Sequence, residues 1–270
     1  RYRKKGLKVF YTAHGFHFYD GAPLKNWLIY YPIEKLFARY TDKLITISNE
    51  DYNLALRKKF NTKIERIHGV GANTMKYFLP SNELKQNLRR KEGYSEYDFI
   101  CICTGELNDN KNQITVLRAV PIIVEQIPSF KLILAGNGPK HEDLQNFIDL
   151  NNLKKYVTML GYVTDLERYV MLSDLAISAS KREGLGLNLI EAMLCGKPIV
   201  GSRNRGHNEL INENGFLVDA KDSKQFADAI TKLYNDYNLY KKMGKRSLEI
   251  SKQYTRENSI SELKKIYLLL

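Results

Sequence analysis

The chain of 270 residues holds three cysteines, one tryptophan and no Asp-x-Asp pair. Cys101, Cys103 and Cys195 have no metal-ligand spacing. Cys101 and Cys103 alternate within an apolar run, as strand neighbours on opposite faces do, and read as free thiols of a reducing cytoplasm. No run of about 18 apolar residues exists, so no helix is expected to span a membrane. The opening, RYRKKGLKVF, is basic but lacks an apolar stretch long enough for a signal peptide. Zinc-finger spacing, a glycine-aromatic RNA signature and a helix-turn-helix pattern are all missing, so nucleic acid is not expected as a partner. Internal repeats and low-complexity segments are missing too.

The residues present, 43% hydrophobic and 11% aromatic, are enough for two soluble domains. The net charge is +12, and residues 1–85 hold 16 Lys+Arg against 7 Asp+Glu, an excess of +9. Three quarters of the excess therefore sits in the first third. Such a basic front suits a phospholipid surface or a diphosphate, or else is a solvated face without a partner.

Strands are expected at 8–13, 43–48 and 64–70. A helix over 27–40 is expected to break at Pro32, and another spans 49–60. The polar stretch 81–97 reads as the linker between domains. A second series places strands at 99–104, 130–135, 156–160, 175–178, 198–201 and 215–218. Helices are expected between them at 111–125, 140–150, 166–172 and 187–194, then at 223–234, 238–252 and 255–270. The alternation predicts an α/β fold of parallel, doubly wound sheets. Ligands bind such sheets at the carboxyl ends of strands. In the second series those ends carry Gly105, Gly136-Asn137-Gly138, Gly161 and the segment 180–186, although glycine after a strand is also ordinary turn chemistry.

The segment 182-REGLGLNLIEAMLCGKPIVGS-202 places Glu183 before a turn broken by Gly184 and Gly186, and Glu191 about one turn into the next helix. The first amides of that helix lack intrahelical partners and its positive end suits an anion. A carboxylate at 191 can accept hydrogen bonds from a diol such as a ribose. The alternative reading makes Glu183 a solvated loop residue and Glu191 a partner of the helix dipole.

The pattern E-G-x-G-L-x-L-x-E-A-M followed by G-K-P-I-V resembles the signature of family 4 retaining glycosyltransferases, whose fold is GT-B. The likeness extends to "AHGF" at 13–16, "HGVGAN" at 68–73, "GELNDNKN" at 105–112, "LAGNGP" at 134–139, "LGYV" at 160–163 and "GHNELINENGFLV" at 206–218. The front resembles bacterial enzymes of capsule and exopolysaccharide synthesis. The resemblance implies two Rossmann-like domains facing a cleft. The first, incomplete, would span 1–82 with 255–270 crossing back, and the second, binding the nucleotide sugar, 83–254. It also implies that the chain opens midway through the first domain, lacking about a hundred residues of a typical domain.

By the same resemblance, Glu183 lies beside the transferred sugar, Glu191 binds the ribose, and Lys111 neutralises the leaving diphosphate with the amides of Gly186 and Leu187. Gly105 and Gly136 let the backbone approach the nucleotide, Gly161, Tyr162 and Val163 run past the base, and His14 reaches the donor sugar. The implied reaction moves a sugar from a nucleotide-diphosphate donor, expected to be UDP-linked, onto a lipid-linked glycan or polysaccharide at the inner face of the plasma membrane. It uses no cofactor and no metal, which the missing Asp-x-Asp pair also suggests. One departure stands out: relatives often carry arginine where this chain has Glu106. Either Lys111 acts alone, or Arg182, Arg203 or Arg205 compensates. The rival reading is a degenerate or truncated GT-B chain that binds nucleotide or a partner without turnover, and a nucleotide-sugar epimerase of the same fold is more distant.

Overall fold

A computed structural model describes residues 6–268; residues 1–5, with four of the basic front's cations, and the last two leucines lie outside the described residues. The chain falls into two compact units, Arg1–Gly71 with Gln253–Leu270, and Ala72–Lys252.

Among the described residues the first unit has three parallel strands, β1 (Phe10–Ala13), β2 (Lys43–Thr46) and β3 (Lys63–Arg66), with β2 central and buried along its length. Helices α1 (Leu24–Ala38) and α2 (Asn49–Arg57) connect them. Ser48 caps α2 by accepting from Asp51 N at 3.3 Å. The aromatic run after β1 is largely core: Phe16 and Phe18 are buried and stack at 4.8 Å, with Phe18 5.5 Å from Trp27 and 5.3 Å from Tyr31. The break expected at Pro32 does not occur, and α1 runs through it. The carbonyl that Pro32 leaves without a donor is that of Leu28, whose side chain is exposed, so water can reach that face. The C-terminal helix (Arg256–Leu268) packs within this unit. Lys43 Nζ donates to Ile266 O at 2.5 Å, and His68 N donates to Glu262 Oε2 at 2.8 Å.

The second unit is a six-stranded, all-parallel sheet. Its strands are β4 (Phe99–Thr104), β5 (Phe130–Ala135), β6 (Val157–Gly161), β7 (Leu175–Ser178), β8 (Ile199–Ser202) and β9 (Gly215–Val218), in the order β6-β5-β4-β7-β8-β9. Sequences such as FICICT and FKLILA are apolar throughout because a parallel sheet is covered on both faces. The covering helices are α3 (Asn82–Lys91), α4 (Gln113–Gln126), α5 (His141–Leu150), α6 (Leu166–Leu172), α7 (Leu187–Leu194), α8 (Arg205–Leu210), α9 (Ser223–Asn235) and α10 (Tyr237–Ser251). Phe130, Leu132, Val116, Leu117, Phe226 and Ile230 are among the buried residues of the core. Cys101, Cys103 and Cys195 are buried and unpaired. Among the described residues no helix is long and apolar enough to cross a membrane.

The polar stretch read as a linker contains α3. Ser81 Oγ accepts from Leu84 N at 3.1 Å, and the basic last turn suits the helix dipole. Its anchor is Arg89, only 3% exposed, which donates to Leu172 O, Glu96 O, Asp98 O and the Asp174 carboxylate. An arginine anchor hides from any search for an apolar face. The division between units accordingly falls at Gly71/Ala72, before this helix, where the sequence reading set it at 82/83.

Candidate functional site

The strand order reverses between β4 and β7: β5 and β6 extend from one side of β4, and β7, β8 and β9 from the other. At such a switch point the connecting loops part, leaving a crevice at the carboxyl ends. Gly105 and Lys111 follow β4, and Glu183 and Gly186 follow β7, so four of the expected residues flank this point.

On the β5–β6 side the loops interlock through backbone. Gly105 N donates to Ala135 O at 2.9 Å, Gly136 N to Gly161 O at 2.8 Å, and Leu107 N to Asn137 O at 2.9 Å. Position 136 accepts only glycine: its φ is +143°, and a Cβ there would stand 2.0 Å from Gly105 O. Gly105, Gly136, Tyr162 and Val163, with Glu106 and Leu166, line a hollow of about 340 Å³, and Gly161 adjoins it through its bond to Gly136. Tyr162 is 76% exposed, a free aromatic face at the rim.

On the β7 side, side-chain amides bring two loops together. Lys181 N donates to Asn110 O at 2.7 Å, and Asn110 Nδ2 to Arg182 O at 3.0 Å. Asn112, with φ +56°, donates to Ala179 O at 3.2 Å and Ala220 O at 2.7 Å. The helix expected from 111 starts at Gln113, so Lys111 stays in the loop. Its Nζ lies 2.5 Å from Glu183 Oε1, with the side chains 23% and 13% exposed. The two residues given separate tasks by the resemblance thus neutralise each other. Helix α7 begins beside them: Gly186 occupies the left-handed region at φ +95° and offers no capping side chain. The early amides of α7 are therefore left for another partner. Asn188 Nδ2 donates to Thr104 O at 3.0 Å and holds this turn against the end of β4.

Glu191 lies further along α7. Burial raises its carboxyl to about 7, with Glu167 adding to the rise, while a hydrogen bond from Tyr77 and the charge of Lys76 oppose it. Tyr77 is buried in the segment before α3, and nothing in the sequence signalled its partnership with Glu191.

His207, which the motif "GHNEL" marked without giving it a task, is fully buried. Its Nδ1 is 2.8 Å from Ser202 O and 2.9 Å from Asn204 Nδ2. Burial drives its pKa down to about 4, leaving a neutral ring. A Cβ on Gly186 would meet that ring at 3.6 Å, so His207 packs under the start of α7.

Glu106 is exposed and accepts from Asn108 Nδ2 at 2.8 Å. Of the cations considered for compensation, Arg203 donates to Leu217 O at 3.0 Å, Arg182 is an exposed neighbour of Glu183, and Arg205 lies in α8. His14 belongs to the first unit, exposed just after β1; the other expected residues all lie in the second. Among the described residues no group of three or more His, Cys, Asp or Glu could hold a metal ion.

A doubly wound sheet with glycine-rich strand ends, a Lys–Glu pair and an uncapped helix start at its switch point defines an α/β protein of GT-B fold class. The fold agrees with HepE of Anabaena, solved in complex with UDP: the TM-score is 0.86 at 21% identity, over 99% of this chain and 74% of that one. Residues 85–249, more than half the chain, match the family of group 1 glycosyl transferases. EpsD of Bacillus subtilis (strain 168), named a glycosyltransferase, is 40% identical over 268 residues, 98% of this chain and 70% of its own. An Escherichia coli enzyme named UDP-Gal:alpha-D-GlcNAc-diphosphoundecaprenol alpha-1,3-galactosyltransferase is 29% identical over 236 residues, 84% of this chain and 60% of its own. The chain belongs to the group 1 glycosyl transferases and is a glycosyltransferase.

Proposed function

We propose that the chain moves a sugar from a UDP-sugar to a lipid-linked or polysaccharide acceptor in capsule or exopolysaccharide synthesis. The observation that carries this reading is the Lys111–Glu183 pair at the switch point, beside the uncapped start of α7. A diphosphate entering there exchanges one anion for another at Lys111 and releases Glu183 toward the sugar. Lys111 and the amides of Gly186 and Leu187 then stabilise the charge that grows on the leaving group. The bond from the anomeric carbon to the diphosphate breaks through an oxocarbenium-like centre. The acceptor oxygen bonds to the same face, and its proton passes to the departing phosphate oxygen. No protein nucleophile is needed; orientation of the partners does the remaining work. Glu191 receives the ribose hydroxyls, and the base occupies the hollow of Gly105, Gly136, Gly161, Tyr162 and Val163. For His14 the support is the resemblance together with its exposure at the end of β1.

The donor and acceptor classes draw support from the UDP complex of HepE and from the names of EpsD and the galactosyltransferase. Peripheral binding at the inner face of the plasma membrane draws support from α1. Its outer face exposes Leu24, Leu28, Leu36 and Phe37 beside Lys25 and Arg39, an apolar-and-basic pattern suited to anionic lipid.

Calorimetric titration with UDP tests the donor site. The chain binds UDP, and Glu191→Ala weakens binding about tenfold to a hundredfold, as expected for loss of hydrogen bonds to a carboxylate. A folded chain that binds no nucleoside diphosphate removes the assignment.

A further inference from the structure

The amino ends of the same strands carry another cluster. Phe99 opens β4, Asp174 precedes β7, and Lys197 lies two residues before β8. Around them are two hollows of about 250 and 330 Å³ that share Lys85, Tyr240 and Lys241 in their walls. The larger lies at the lower end of the range of small-molecule sites, about 300–1,000 Å³. They sit on the far side of the sheet from Lys111, roughly 20 Å away along a six-residue strand.

Four lysines line these hollows, Lys85, Lys197, Lys241 and Lys245, against one carboxylate, Asp174. Three donors hold that carboxylate: Oδ1 accepts from Lys85 at 2.6 Å, and Oδ2 from Arg89 at 2.6 Å and Ile100 N at 2.8 Å. Lys197 is 3% exposed, and its Nζ donates to Met171 O at 2.8 Å and Ser173 O at 2.7 Å, both uncharged. An ammonium has three N–H bonds, so one remains for a ligand. Burial first, and then Lys85, pull its pKa down to about 7, with Cys195 and Asp174 opposing them; a bound anion would add to that opposing charge. Lys241 and Lys245 are exposed one turn apart on α10. Tyrosines stand among the lysines in the same walls. Tyr237 is 67% exposed with Lys241 Nζ 5.3 Å from its ring centre, and Tyr234 meets Phe99 at 5.2 Å.

We propose that this groove binds an anionic saccharide, its carboxylate or phosphate held by the lysines and its ring laid against the tyrosines. A small inorganic anion would leave the tyrosines unused, and a neutral sugar would leave the lysines unmatched. The assignment is independent of the donor site.

The test is a nuclear magnetic resonance titration of the full chain with a hyaluronan hexasaccharide and with mannose 6-phosphate, against maltohexaose and inorganic phosphate. At least one of the first two shifts the amides of Asn82, Lys197, Tyr240 and Lys245 and binds more tightly than both controls. Lys241→Ala and Lys245→Ala, at exposed positions, weaken it about tenfold or more, as loss of a charge-assisted contact does, while UDP titrations stay unchanged. Three results overturn the proposal: neither anionic saccharide shifts these amides, a control binds as tightly, or Lys111→Ala abolishes the binding while the two α10 variants do not.

Discussion

The six strands of the second unit end in opposite chemistries. At their carboxyl ends the chain relies on backbone: Gly105, Gly136, Gly161 and Gly186 all have positive φ, and little side chain stands between the main chain and a ligand. At their amino ends it relies on side chains. Asp174 accepts from Lys85, Arg89 and Ile100 N, while Arg89 ties α3 to Leu172, Glu96 and Asp98. Both ends hold a lysine–carboxylate pair, yet the pairs differ in kind. Lys111–Glu183 has one hydrogen bond and partial solvent access, so another anion can take its place. Asp174 already accepts from two cations and a backbone amide. Burial alone would raise its pKa, but Lys85 and Arg89 together hold it below the usual carboxylate value.

The largest effect expected is at the amino end. Asp174→Ala leaves Arg89 buried without its counter-charge and lowers unfolding stability by about 3–5 kcal/mol, read by denaturant titration. Because the folded-state pKa of Asp174 is depressed, its contribution is complete above the usual carboxylate pKa and is lost as pH falls through the folded value. Wild-type-like stability in the variant would erase the contrast between the two ends. Next comes Lys111→Ala, which costs turnover rather than folding. Transfer falls about 10²–10³-fold, as when a charge-stabilising group is removed, and stability changes by no more than about 1–2 kcal/mol because Glu183 keeps contact with water. A full-rate enzyme lacking Lys111 would show that the pair is only structural.

The strands of the second unit were legible because uninterrupted apolar runs such as FKLILA, closed by glycine, have few other homes than a covered parallel strand. The glycines and both charges at the switch point were legible as residues, but their meeting was not. Lys111 and Glu183 are 72 positions apart, and side-chain amides of Asn110 and Asn112 hold their loops together. Tyr77 was hidden for the same reason, since a tyrosine in a coil segment has no period to betray its partner. Helix α3 was lost because its buried anchor is charged. Helix α1 survived Pro32 because the affected carbonyl lies on the exposed side, a matter of tertiary placement that local sequence does not record.

The smallest effect sharpens the comparison at the carboxyl end. Glu191 is a partly buried carboxyl raised to about 7 in the folded chain, against an ordinary value of 4.5. A raised acid favours its neutral form when folded, so its stabilising contribution is complete below about pH 4.5 and is lost as pH rises through about 7. Glu191→Gln keeps the shape and remains neutral throughout. At pH 8 it should therefore exceed the wild type in stability by about 1–2 kcal/mol, the upper part of the linkage value being removed by residual solvent access. The difference should vanish below about pH 4.5, where both side chains are neutral. Denaturant titrations of the two proteins across that range check it. A pH-independent difference would mean that the Tyr77 hydroxyl and Lys76 already satisfy the carboxylate, making it a structural partner like Asp174. The predicted pH-dependent gain instead marks a charge that the fold tolerates at a cost, as a group reserved for a ligand's hydroxyls would be.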